Sequence, residues 1–165
     1  MSAGETLAVE VTAPCPGWLR ECAEAGSFAD QAARLALRHA AAPPEAVVDV
    51  TLADDAAQQA LNRTWRGKDS STNVLAFPAA DPSVPVPPGA PLLLGDVVLA
   101  FETVRREAVE QQKPLADHLR HLVVHGVLHL LGYDHEEAAD AAAMEAREKA
   151  ILAELGVPNP YRDTM

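Results

Sequence analysis

Between Leu115 and Leu130 the apolar residues recur at helical spacing. Leu115, Leu119, Leu122, Gly126, Val127 and Leu130 gather on one broad face at about 100° per residue, so that face must be core. His118, His121, His125 and His129 form a stripe along one edge of it. The histidines therefore line a border between core and solvent, where a cleft would lie. Pro114 opens this helix at a favoured first-turn place, and Gly132, which readily takes φ > 0, ends it and turns the chain back.

The same reading covers the rest of the chain. Weak alternation from Leu7 to Val11 predicts a strand broken by Pro14 and Pro16. Residues Trp18 to Ala41 then read as a helix with Trp18, Ala25, Phe28, Ala32, Leu35 and Ala36 inward, Gly26-Ser27 being its weak point. His39, at the end of that helix, is expected on the surface, where a positive charge is tolerated. Ala46 to Leu52 is β-branched and apolar, a second strand. Asp54 or Asp55 caps a helix over Ala56 to Trp65, with Leu61 and Trp65 on its buried side. Thr72 to Phe77 makes a third strand, ended by Pro78. The proline-rich stretch 79–91 reads as a surface loop. Leu93 to Ala100, almost continuously apolar apart from Gly95-Asp96, predicts a strand in the centre of a sheet. Helices follow over Glu102 to Gln111 and Glu136 to Leu155, the last with Ala139, Ala143, Met144, Ile151 and Leu155 inward and its acid outward. No internal repeat is visible.

Size adds that these elements form one domain spanning 1–165, since 165 residues that are 48% hydrophobic supply one core. No apolar run is long enough for a membrane span, and the first residues lack the basic and apolar regions of a signal peptide, so a cytoplasmic location is expected. Cys15 and Cys22 lie far from the histidines and read as small core or surface residues, neither ligands nor a disulfide.

Chemistry concentrates in His125 to His135, HGVLHLLGYDH. His125 and His129 lie one helical turn apart, and beyond the Gly132 turn His135 can swing to face the same point. Three converging neutral imidazoles describe a catalytic-type zinc site with its fourth position left to water. The alternative is a histidine-rich helix with no metal. Zinc peptidases share the spacing but place a glutamate base directly after the first histidine. Gly126 stands there instead, which argues against a peptidase. His121 lies eight residues before His129, about 12 Å back along the axis, and cannot share an ion with His135. His118 and His121 line the cleft or are plain polar edge residues. Asp134 either orients a histidine or is an ordinary turn residue.

The net charge of −11 speaks against indiscriminate nucleic-acid binding. The acid is uneven, however. It dominates from Glu136 to Met165, whereas between Asn62 and Leu75 Arg63, Arg66 and Lys68 face Asp69 alone. Arg66, Lys68, Ser70, Ser71 and Thr72 share one loop there. An arginine fork grips phosphate with two parallel hydrogen bonds; the competing reading is a solvated basic loop. The acidity outside this loop predicts that free RNA binds weakly.

The runs H-G-V-L-H-L-L-G-Y-D-H, L-N-R-T-W-R-G-K-D-S-S-T-N-V-L-A-F-P and L-L-G-D-V-V resemble the bacterial YbeY family of metal-dependent endoribonucleases. The resemblance covers the chain from about Val48 to its end. It implies an α+β fold, a small mixed four-stranded sheet wrapped by about five helices with the histidine helix central. It implies zinc on His125, His129 and His135, with Arg66 as the catalytic basic residue beside it; nickel or another borderline divalent metal would also suit imidazole. It further implies single-stranded RNA as substrate, maturation of the 3′ end of 16S rRNA, and ribosome quality control. Implied partners are ribosomal particles, a small-subunit ribosomal protein and the GTPase Era. The nucleophile is either a water activated by the metal or the RNA 2′-OH. Other readings are a different metallohydrolase and a non-catalytic ribosome-assembly factor with a structural metal.

Overall fold

The computed structural model of the protein describes residues 8–79, 87, 90–133 and 138–160. Most of the expected loop at 79–91 lies outside them, as do Asp134 and His135. Among these residues four strands and six helices follow in the order β1 (Ala8–Thr12), α1 (Pro16–Glu21), α2 (Ala25–His39), β2 (Ala46–Ala53), α3 (Asp55–Arg66), β3 (Val74–Pro78), β4 (Leu92–Ala100), α4 (Phe101–Glu110), α5 (Leu115–Leu130) and α6 (Ala138–Glu154). The sheet runs β1-β2-β4-β3, parallel from β1 to β4 and antiparallel at the β3 edge. The expected mixed α+β fold is present, with six helices where about five were expected. No helix among the described residues is long and apolar enough to cross a membrane.

The extra helix comes from a break that the pattern placed differently. The chain leaves helical geometry at Cys22 (φ −144°), and Gly26 lies in the first turn of α2. The break lets α1 bury Trp18, whose Nε1 donates to Ala53 O at 2.9 Å while its ring meets Phe101 edge to face. α2 then turns Ala25, Ala29, Ala32, Ala33 and Ala36 fully inward, small residues that allow close approach to α5. Phe28 and Leu35, expected inward, are half-buried flanks, and Phe28 carries the Arg120 guanidinium 4.5 Å from its ring centre. Both cysteines are free.

α5 is the element around which the others pack. Its neighbours are α2, β3, β4, α4 and α6. A Cβ at Gly126 would lie 2.6 Å from Val97 Cγ1, so glycine is what lets α5 settle on β4 at that point. The same contact explains the missing peptidase base: a side chain leaving the helix there runs into the sheet.

On the other side of the sheet, α3 presents a polar face inward. Gln58 is fully buried, donating to Val98 O at 2.9 Å and accepting from Thr72 N at 2.8 Å; Asn62 donates to Ser70 O at 2.9 Å. These bonds lash residues 67–73 to the helix. The structure corrects the expectation for Trp65, which is 72% exposed: it continues the Gln58–Asn62 stripe into the last turn of α3, where the buried contacts have ended. Asp54 accepts from Ala57 N as the helix cap, and Asp55 binds Thr103 N and Oγ1 at the start of α4.

Candidate active site

β3 and α5 leave a cleft of about 380 Å³ between them, lined by Arg66, Val74, Ala76, His125, His129 and Leu130 among others. His125 and His129 project from successive turns of α5, their ring centres 4.6 Å apart. Arg66 arrives from the opposite direction as the last residue of α3. Gly67 ends that helix in the left-handed region (φ 70°), and its N–H returns to Arg63 O at 3.1 Å. The Arg66 Nη2 donates to Ala76 O on the edge strand at 3.3 Å, and the guanidinium stands 5.4 Å from the Phe77 ring centre. An exposed arginine is thus held over the mouth of a histidine cleft by a carbonyl and an aromatic face. Its charge is still available to an anion.

The rest of the basic loop behaves differently. Arg63 approaches Asp69 at 3.7 Å, and Gln59 also donates to that carboxylate. Asp69 therefore offsets Arg63, and the cationic character of the patch rests on Arg66 and Lys68.

Sequence reasoning missed Glu148. The acid of α6 was expected outward, yet Glu148 is fully buried, as are Met144, Ile151 and Leu152 around it, whereas Ala143 is exposed. Its Oε2 lies 2.9 Å from His125 Nδ1 and its Oε1 lies 3.5 Å from His121 Nε2. An ionised carboxylate only accepts, so with Glu148 ionised the His125 Nδ1–H donates to it and Nε2 is the ring nitrogen that carries the lone pair. A carboxylate fixing the tautomer of an imidazole in this manner is what a metal-binding histidine requires. The donor chemistry of this chain therefore fits a borderline divalent ion. Among the described residues no three His, Cys, Asp or Glu side chains are grouped to hold one, and His135, the expected third ligand, lies outside them with Asp134.

The two earlier histidines have other work. His121 shares Glu148. His118 is buried, with Nε2 at 2.8 Å from Glu107 Oε1, an oxygen that also accepts from Asn73 Nδ2 at 3.1 Å. His118 thereby pins α5 to α4 and to the start of β3. His39, expected on the surface, is half-buried and paired with Glu154, joining the ends of α2 and α6.

Burial is the largest influence on His118 and pushes its pKa below the usual 6.5, against the opposing hydrogen bond that His118 donates to Glu107. The folded chain then holds His118 neutral at a pH where the unfolded chain has protonated it. Its contribution to stability is complete above about 6.5 and is lost as the pH falls through the lowered folded value. Thermal melts from about pH 7.5 down to about pH 5 are expected to fall more steeply for the native chain than for His118→Gln. Parallel curves would refute this assignment.

The family model described as Endoribonuclease YbeY matches residues 20–156. A relative named Endoribonuclease YbeY from Paramagnetospirillum magneticum is 54% identical over 159 residues, covering 94% of this chain and 96% of the relative. Another of that name, from Rhodopseudomonas palustris, is 50% identical over 148 residues, covering 87% and 86%. The solution structure of TM1509 from Thermotoga maritima superposes with a TM-score of 0.54 at 21% identity over 96% of each chain, a likeness of fold. The sequence runs that suggested a relationship and the family model thus agree over most of the chain, and on these matches it belongs to the YbeY family.

Proposed function

We propose that this protein is a metal-dependent endoribonuclease that cuts single-stranded RNA. The observation that carries the reading is the cleft in which an exposed arginine from α3 meets two histidines from α5. The relatives named Endoribonuclease YbeY support the reaction class. In this reading His125, His129 and His135 hold one zinc ion, or another borderline divalent metal. The ion supplies Lewis acidity toward a phosphoryl oxygen and lowers the pKa of water.

The residues of the chain do the remainder. Glu148 holds the His125 ring through Nδ1, and that ring lines the cleft. Arg66 binds the phosphate and neutralises the charge that grows on its oxygens in the transition state, an interaction that strengthens as the reaction proceeds. Ala76 O and the Phe77 ring set the guanidinium in place beforehand, so little reorganisation is needed when the charge develops. Among the described residues the cleft wall offers no carboxylate or lysine as general base. Cleavage by the RNA 2′-OH would leave a 2′,3′-cyclic phosphate, and direct attack by water would not.

The biological reading goes with the family. The chain would mature the 3′ end of 16S rRNA and act in ribosome quality control in the cytoplasm, working on ribosomal particles with a small-subunit ribosomal protein and the GTPase Era. The test is cleavage of a labelled single-stranded RNA by native protein, by chelator-treated protein, and by folded His129→Ala and Arg66→Ala variants. Native cleavage with a loss of at least about a hundredfold in the other three is expected. Equal cleavage by all four would place the activity in a contaminant. No cleavage by any, on RNA or on ribosomal particles, would favour an assembly factor with a structural metal.

A further inference from the structure

A second groove opens on the other side of Arg66. It has a volume of about 580 Å³ and lies on the sheet face beneath α3, lined by Leu61, Trp65, Arg66, Phe77, Asp96 and Val98 among others. Asp96 and Phe77 are cross-strand partners, and both belong to this face. Trp65 stands at the rim, the most exposed large apolar side chain among the described residues at 72%. Nothing in the reaction proposed above uses Trp65 or Asp96.

We infer that this groove binds a guanine base of the RNA, one nucleotide removed from the phosphate held at Arg66. Three observations combine. Two aromatic rings and a planar guanidinium border the groove, the surfaces on which an unpaired base stacks. The acidic group in its lining is a carboxylate, which can only accept hydrogen bonds, so it selects a ligand edge made of donors. Among the four RNA bases guanine alone offers two adjacent donors, N1–H and N2–H, spaced for both oxygens of one carboxylate. Arg66 lines both this groove and the histidine cleft, so a base in one and a phosphate in the other belong to neighbouring positions of a single strand.

The state of Asp96 agrees with this assignment. Burial, with the Asp49 carboxylate adding to it, raises its pKa above the ordinary aspartate value. A partly buried carboxylate with no side-chain donor among the described residues gains by meeting two donors. Asp49 is its partner across β2 and β4 and supplies no donor. The L-L-G-D-V-V run thus acquires a reason for its aspartate.

The inference rests on the RNA reading of the site, and its test is independent of cleavage. The chain has two tryptophans, Trp18 fully buried and Trp65 exposed, so quenching of the long-wavelength emission reports on Trp65. Guanosine 5′-monophosphate, titrated without added metal, is expected to quench it saturably. Adenosine, cytidine and uridine monophosphates should each need about tenfold higher concentrations. Trp65→Leu, a change at an exposed position, should weaken the guanosine nucleotide at least about fivefold when binding is read by equilibrium dialysis, and unchanged binding would remove Trp65 from the site. Asp96→Asn should weaken the guanosine nucleotide about tenfold, toward the adenosine level. Equal affinity for all four nucleotides, or no saturable quench, would overturn the assignment without reference to any variant. Trp65 emission that shifts to the blue with rising protein concentration, with no response to nucleotides, would give the groove to a second copy of the chain. A protein that binds guanosine nucleotide but cuts no RNA would fail the nuclease proposal alone.

Discussion

Gly95→Ala is expected to lower stability by about 3 kcal/mol and the melting temperature by about 10 °C. Gly95 stands in the middle of β4 with φ at 141°, a region that side-chain-bearing residues rarely adopt. A Cβ there would lie 2.2 Å from Phe77 O and 3.0 Å from Ala79 N, both backbone atoms of the neighbouring edge. The pairing of β2 with β4 slips by one residue at the same point, from Val47↔Leu93 to Val48↔Gly95. The chain can relieve the clash only by pushing β3 outward. Because β3 carries Phe77 and the carbonyl that holds Arg66, RNA cleavage should fall as well, even well below the new melting temperature. A melt by circular dichroism beside a cleavage assay at low temperature checks both parts. An unchanged melting temperature would show that the left-handed conformation at 95 is not required.

The second large effect is at Glu148. Glu148→Gln is expected to weaken the affinity of the proposed metal site for zinc by about ten- to a hundredfold. The amide has one accepting oxygen where the carboxylate has two, and its NH₂ faces a ring nitrogen that also donates. His125 then loses the partner that fixes its tautomer. His121 and His125 face separate oxygens of the carboxylate, so whichever ring faces the new NH₂ loses its acceptor. Stability should fall by about 1–3 kcal/mol, the cost of an unmatched buried polar group. Competition with a chromophoric chelator measures the affinity and a thermal melt the stability. Unaltered zinc affinity in a folded variant would refute the orienting role.

The α5 helix was the most legible part of the sequence because its apolar face is wide and unbroken, so periodicity alone located the core edge on which the histidines lie. The central position of β4 was legible for a similar reason: only a strand covered on both faces can be so apolar. Trp65 and Glu148 were not, because each inverts the rule that apolar residues go in and charge goes out. In α3 the inward stripe belongs to Gln58 and Asn62, whose amides replace backbone bonds lacking in the loop they hold. In α6 a signal was present. Met144, Glu148, Ile151 and Leu155 fall at helical spacing, so a glutamate sits inside the apolar stripe, and buried acid of that kind needs a partner. The two ends of that pair lie 23 residues apart in sequence, and nothing local links them. Gly95 likewise broke an apolar strand, the pattern of a close backbone approach, although that approach depends on where β3 lies.

α5 is enclosed by α2, α4, α6, β3 and β4; half of its residues are buried and none is exposed. An element so placed has no local opening of its own, since exposing it means dismantling the domain. Whatever prefers the histidines in their assembled arrangement therefore acts on the global unfolding equilibrium, adding RT ln(1 + [L]/Kd) to the stability of the whole chain. Under scarcity of that ligand, the lifetime of the protein and its competence decline together. With the proposed metal as that ligand, abundance in the cell would follow supply to the site.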